Sequence, residues 1–142
     1  MRRGFSLPEL MVVLAIIAVV LALGVPRFGD TLDWAAADGA ARDVTTALAV
    51  TRAAAISQST LARLQIAADS LRIDLRTDGG WMAYRRDPGP AARGVQLDVS
   101  NPEVIFAPTG LGWGPANSTI TLSRGGRIET ITTSRVGRVK RW

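Results

Sequence analysis

Met1-Arg2-Arg3-Gly4-Phe5-Ser6-Leu7-Pro8-Glu9 leads straight into an unbroken stretch of apolar residues and glycine from Leu10 to Val25, closed by Pro26-Arg27. A helix is the economical way to hold such a run in lipid, because it satisfies every backbone N–H and C=O internally. At 1.5 Å per residue, residues 10–25 reach about 24 Å, and residues 5–8 extend the helix to the ~20 residues that a bilayer core needs. An ordinary secretory signal would carry a small-residue cleavage site beyond the run, but Gly24-Val25-Pro26-Arg27-Phe28 offers none, so the helix is expected to be retained. Arg2 and Arg3 before the run place the N-terminus in the cytoplasm and the remainder outside. Glu9 is the anomaly. An unpaired carboxylate at the rim of a lipid-embedded helix costs several kcal/mol, so it needs a partner.

The rest of the 142-residue chain fits one domain, and its 47% hydrophobic content supports a modest core beside the apolar run. There is no Cys and no His, which excludes a disulfide framework, a thiolate metal site and imidazole catalysis. Asp74 with Asp78, or Asp87 with Asp98, can be imagined as carboxylate pairs, but they fall on strands and turns where solvated carboxylates are ordinary. Gly110-Leu111-Gly112-Trp113-Gly114 precedes no helical pattern and so cradles no phosphate. The sequence therefore leads us to expect no enzyme, no catalytic residue, no metal and no cofactor.

After Pro26 a second helical stretch, about Thr31 to Ile56, carries apolar or small residues at Ala37, Ala40, Ala41, Val44, Ala47, Leu48, Thr51 and Ala55, a period of 3.6. Asp38 and Arg42, four apart, can pair on its solvent side. From Leu71 the pattern becomes strict alternation, with Leu71, Ile73 and Leu75 on one face and Arg72, Asp74 and Arg76 on the other, which predicts a half-buried antiparallel strand. Further strands are predicted at 62–67, 81–85, 95–99, 104–106, 119–122, 127–132 and 138–142, separated by turn residues such as Asp78-Gly79-Gly80 and Gly125-Gly126. The stretch 108–116 reads as a mobile surface loop. The fold class is α+β: a long N-terminal helix whose amphipathic half packs on an antiparallel sheet.

The junction Gly4-Phe5-Ser6-Leu7-Pro8-Glu9-Leu10 resembles the leader junction of type IV pilins and type II secretion pseudopilins. That resemblance implies a prepilin peptidase cutting between Gly4 and Phe5, N-methylation of Phe5, and pairing of Glu9 with the N-terminal amine of a neighbouring subunit. It also puts Pro26 where such helices kink. A buried carboxylate and ammonium neutralise each other and fix the register of stacked helices. The competing reading is a plain membrane anchor with a coincidental Glu. The implied organisation is a leader at 1–4, a transmembrane and assembly helix at 5–25, an amphipathic helix at 26–56 and a β head at 57–142. Localisation would be single-pass in the inner membrane, with the head periplasmic, and then in a pilus or pseudopilus.

Ala41-Arg42-Asp43, Phe106-Ala107-Pro108-Thr109-Gly110, Thr119-Ile120-Thr121-Leu122 and Gly137-Arg138-Val139-Lys140 are similar to pieces of the GspH/FimT subfamily, whose members are minor components of their filaments. Many relatives carry a Cys pair in the head, which this chain lacks.

Charge is unevenly placed. The chain is +5 overall with a pI near 11.2, and the six cations Arg124, Arg127, Arg135, Arg138, Lys140 and Arg141 against Glu129 give residues 124–142 the whole excess. Arg135, Gly137, Arg138, Lys140, Arg141 and Trp142 thus form a candidate DNA-binding segment, with cations for backbone phosphates, a glycine for close approach and an aromatic for stacking. By resemblance to the FimT branch, Gly137-Arg138-Val139-Lys140 stands where a Gly-Arg-any-Arg motif is linked to DNA binding in natural transformation, with Lys140 replacing the final Arg. Alternation along a strand would send Arg138 and Lys140 to one face and Arg141 to the other. The same charges also suit an edge strand that blocks aggregation, or a contact with an acidic neighbour in the filament. Two assembly roles remain: a minor type IV pilin with DNA uptake, or a minor pseudopilin of type II secretion.

Overall fold

A computed structural model of the chain describes residues 6–142, with the side chains at 25–28 left out of the description. The expected cleavage and methylation point, Gly4 and Phe5, lies outside the described residues, as does the side chain of Pro26. Helix α1 (Leu7–Ser57) begins just before Pro8, whose fixed φ and missing N–H suit a first turn, and Leu10 N–H donates to Ser6 O at 3.1 Å. Helical backbone is assigned through position 26. The chain divides into two compact units, residues 1–32 and Asp33–Trp142.

In the first unit, the described large apolar side chains from Leu7 to Leu23 are all exposed, on every side of the helix. The helix is long and apolar enough to cross a membrane. A helix that is apolar all round is built for lipid or for other helices, not for one side of a soluble core.

The second unit is the head. Residues 33–57 of α1 bury Ala37, Ala40, Ala41, Val44, Ala47, Leu48, Thr51, Ala54 and Ala55, the predicted stripe with Ala54 added. Small side chains let the helix backbone lie close to its neighbours. Leu64, Leu71, Ile73, Val104, Phe106, Ile120, Leu122 and Ile131 close the same core from the strands. Thr51 tolerates this burial because its hydroxyl donates to Ala47 O at 2.6 Å.

Nine strands follow, all antiparallel where paired: β1 (Ala62–Ile66), β2 (Ser70–Thr77), β3 (Gly80–Pro88), β4 (Gln96–Val99), β5 (Glu103–Phe106), β6 (Gly112–Trp113), β7 (Ser118–Arg124), β8 (Arg127–Thr133) and β9 (Val139–Arg141). They make two sheets, β3-β2-β1-β5-β6 and β4-β7-β8-β9, where the sequence suggested one. The division arises at 100–102. The chain leaves β4 in the second sheet and returns to pair β5 with β1, Ala62 opposite Phe106, instead of continuing beside β4.

Two further expectations are corrected. The 108–116 stretch is not a free loop: β6 pairs Trp113 with Ile105, and Gly112 N–H donates to Arg135 O at 2.7 Å, tying the first sheet to the C-terminal segment. Glycines make this possible, with positive φ at Gly110 and Gly114 and no room at Gly112, where a Cβ would lie 2.5 Å from that of Ala116. Asp74, expected on the solvated face of β2, is fully buried. Arg63 reaches it from β1 at 2.8 Å and Arg72 at 2.7 Å, and the Arg63 guanidinium lies 4.4 Å from the centre of the Trp81 ring.

Candidate functional site

The C-terminal segment is built on a tight connection between β8 and β9. Ser134 N–H donates to Arg138 O at 3.0 Å and Gly137 N–H to Ser134 O at 2.9 Å. Gly137 is required there: its φ is +72°, and a Cβ would meet Gly110 O at 2.6 Å. Its carbonyl accepts from an Arg52 nitrogen of α1 at 3.2 Å. The glycine that sequence reasoning assigned to ligand approach is thus buried against the protein's own backbone.

The expected cations separate. Arg138 and Lys140 are exposed and line one groove of about 430 Å³ with Asn117, Thr132, Thr133 and Ser134. Arg135 is exposed, with its N–H donating to Asn117 Oδ1 at 2.9 Å. Lys140 Nζ lies 3.2 Å from the centre of the Trp142 ring, which covers one face of that indole and leaves Trp142 largely exposed. Arg141 turns the other way, as alternation requires. It pairs with Glu129 at 2.9 Å and with Asp38 of α1, so it is engaged inside the head and does not belong with the outward cations. The groove's hydroxyls and the Asn117 amide were not singled out from sequence. The Thr132-Thr133-Ser134 run was the available signal, but placing it beside Lys140 needed the β8–β9 register.

The Asp38–Arg141–Glu129 cluster has a clear electrostatic sign. The hydrogen bond from Arg141, opposed by burial and helped by the charges of Arg141 and Arg42, holds the Asp38 carboxyl below its ordinary value. Hydrogen bonds to Glu129 and then Asp38 push the Arg141 guanidinium further up. A carboxylate with a depressed folded-state pKa stabilises fully above its unfolded value of 3.8 and loses that contribution as pH falls through the lower folded value. The acid limb of the thermal-stability profile is therefore expected to be shallower in Asp38→Ala than in the parent chain, measured by circular dichroism melts. An unchanged acid limb would show that the cluster does not couple folding to protons.

Glu9 sits exposed in the first turn of α1. It is the one charged residue of residues 7–26.

Comparison with known proteins bears on the N-terminal motif and on the fold. Residues 1–25 match the family model described as the prokaryotic N-terminal methylation motif. Over 160 aligned positions, covering 98% of this chain and 97% of the relative, the chain is 28% identical to the pilin-like protein PilA1 of Thermus thermophilus. The fold is similar to that of the type IV minor pilin FimU of Pseudomonas aeruginosa, with TM-score 0.63 and 19% identity over 73% of this chain and 86% of that one. It is also similar to the minor pseudopilin EpsH of the Vibrio cholerae type 2 secretion system, with TM-score 0.61 and 16% identity over 75% and 95% of the two chains. The chain has the type IV pilin-like fold. It carries the N-terminal methylation motif of type IV pilins, and a pilin-like relative matches nearly its whole length.

Proposed function

We propose that the chain is a minor subunit of a type IV pilus, and not an enzyme. In this reading a prepilin peptidase releases it from residues 1–4, Phe5 is N-methylated, and α1 holds it in the inner membrane with the head periplasmic until it joins other pilins through Glu9. The observation that carries the reading is the methylation motif over residues 1–25, joined to a helix that is apolar on every side and a pilin-like head. Mass analysis of membrane-extracted protein tests it. The expected N-terminus is a methylated Phe5, and an intact Met1 or a cut beyond Pro26 overturns the filament reading.

The same subunit is proposed to bind DNA without sequence preference, during natural transformation, through Arg138 and Lys140 with Arg135 beside them. Support comes from the exposure of these cations and from the hydroxyl and amide groups that share the groove of Arg138 and Lys140. Phosphate contacts release counterions, so affinity is expected to fall steeply with salt. Titrating labelled duplex into the full chain in detergent, Arg138→Ala and Lys140→Ala are each expected to weaken binding equally for all sequences and to reduce the salt slope by about 1. No binding at ~50 mM salt removes the DNA role and leaves the filament role standing. The likeness to EpsH supports a second reading, a minor pseudopilin of type II secretion. A deletion strain that loses protein secretion but keeps transformation would favour it.

A further inference from the structure

The end strand of the second sheet has an open edge. Trp142 and Thr130 exchange N–H···O bonds in both directions, at 2.9 and 3.4 Å, and Ser134 N–H donates to Arg138 O. In an antiparallel pair such bonded positions alternate, so Arg138, Lys140 and Trp142 turn their backbone groups toward β8, while Val139 and Arg141 turn theirs away. Among the described residues, no backbone hydrogen bond from outside the β8–β9 ladder reaches Val139 or Arg141. Beside this edge lies a groove of about 640 Å³ whose apolar lining is Leu48, Ala49, Ala53 and Ile56 of α1 with Phe106 and Val139. Ile56 is 49% exposed and Val139 36%. Arg52 and Arg138 also line the groove, and both are exposed.

We propose that this groove receives an extended segment of another filament subunit, alternating apolar and acidic residues, added to β9 as a further strand. Backbone bonds to Val139 and Arg141 would supply affinity, apolar side chains would cover Ala53 and Ile56, and carboxylates would meet Arg52 and Arg138. A second copy of this β9 is a poor occupant, because it would set Arg138, Lys140 and Arg141 against their own kind, and like charges across a strand pair repel. The cations that block self-pairing thus select an acidic partner. DNA is a poor occupant too, since the lining is mostly apolar. The source of the strand, though not the site, rests on the filament reading above.

The test is fluorescence anisotropy of a labelled hexapeptide of alternating valine and glutamate, titrated with the full chain in detergent micelles. Binding is expected, and methylating the peptide's alternate backbone nitrogens is expected to weaken it about tenfold through two lost hydrogen bonds. Lysine in place of glutamate is expected to abolish it. Val139→Pro removes one outward N–H without touching a β8–β9 bond and is expected to weaken binding about threefold, through that single lost hydrogen bond. Ala53→Glu, which leaves β9 intact, is expected to weaken binding as well and serves if Val139→Pro fails to fold. No binding, or equal binding of the methylated or lysine peptide, overturns the proposal. So does displacement of the peptide by phosphatidylglycerol vesicles whose binding Val139→Pro leaves unchanged, which would make the groove a lipid site. None of these outcomes depends on leader processing or on DNA binding, so failure here and failure of the filament reading are separable.

Discussion

Glu9→Leu is expected to leave leader removal intact while nearly abolishing recovery of the subunit in sheared filaments. The residue carries the one charge within residues 7–26 and lies in the first turn of a helix whose described large apolar side chains, Leu7 to Leu23, are exposed on every side. In an assembled bundle, a carboxylate at that depth is tolerated only beside a cation, and the amine of the processed N-terminus is the cation that a neighbouring copy brings. Removing the carboxylate strands the amine, and breaking such a pair costs on the order of 3 kcal/mol or more, upwards of a hundredfold in incorporation. The measurement is immunoblotting of sheared and membrane fractions together with the mass of the membrane form. Normal incorporation of Glu9→Leu would show that Glu9 carries no pairing. A failure of processing in the variant would instead place the side chain in peptidase recognition.

Asp74→Ala is expected to produce the largest loss of stability in the head. The carboxylate is fully buried and held by Arg63 and Arg72, and Arg63 is itself packed on Trp81 and reaches Glu103 at 3.3 Å. Without it, two guanidiniums lie side by side with only Glu103 to share. The cost of orphaning a buried charge, about 3 kcal/mol, is a large fraction of a typical domain's stability, and for a head of this size it lowers the melting temperature by about 10–20 °C. Urea or thermal unfolding by circular dichroism measures it. In the double variant with Arg72→Ala, the two losses should fall short of their sum, because the second removal relieves the repulsion left by the first. A loss within ~0.5 kcal/mol would mark Asp74 as an ordinary surface carboxylate.

The helix was legible because its signal is local. Every position predicted to face the core from Ala37 to Ala55 is buried, since the 3.6 period and small side chains leave one choice of face. Most strands were legible for the same reason, their ends shifting by one to three residues. What the sequence did not show is relational. The burial of Asp74 depends on Arg63, eleven residues away on another strand, and no alternation rule carries that partner. The β6 pairing depends on Phe106 and Arg135 meeting the same short segment, which in isolation is only a glycine-rich stretch. At the basic end, strand alternation already separated Arg141 from Arg138 and Lys140, but did not supply the partners that Arg141 finds in Asp38 and Glu129. Glu9 stands out in the sequence because it borders the run of apolar residues and glycine from Leu10 to Val25, and its role belongs to the proposal above.

The ties that close the head on its helix span long stretches of chain: Arg52 to Gly137 over 85 residues, Arg124 to Asp33 over 91, and Arg141 to Asp38 over 103. Loop-closure entropy must be met before any of them forms, so they belong to the late part of the folding reaction. The helix can coil and β1–β3 can zip early, as neighbours in sequence, while the acidic side of the helix waits for its counter-ions. Refolding is thus expected to be limited by docking of the β7–β9 layer, and a subunit caught before that step would expose the alanine seam of its helix to any other apolar surface in reach.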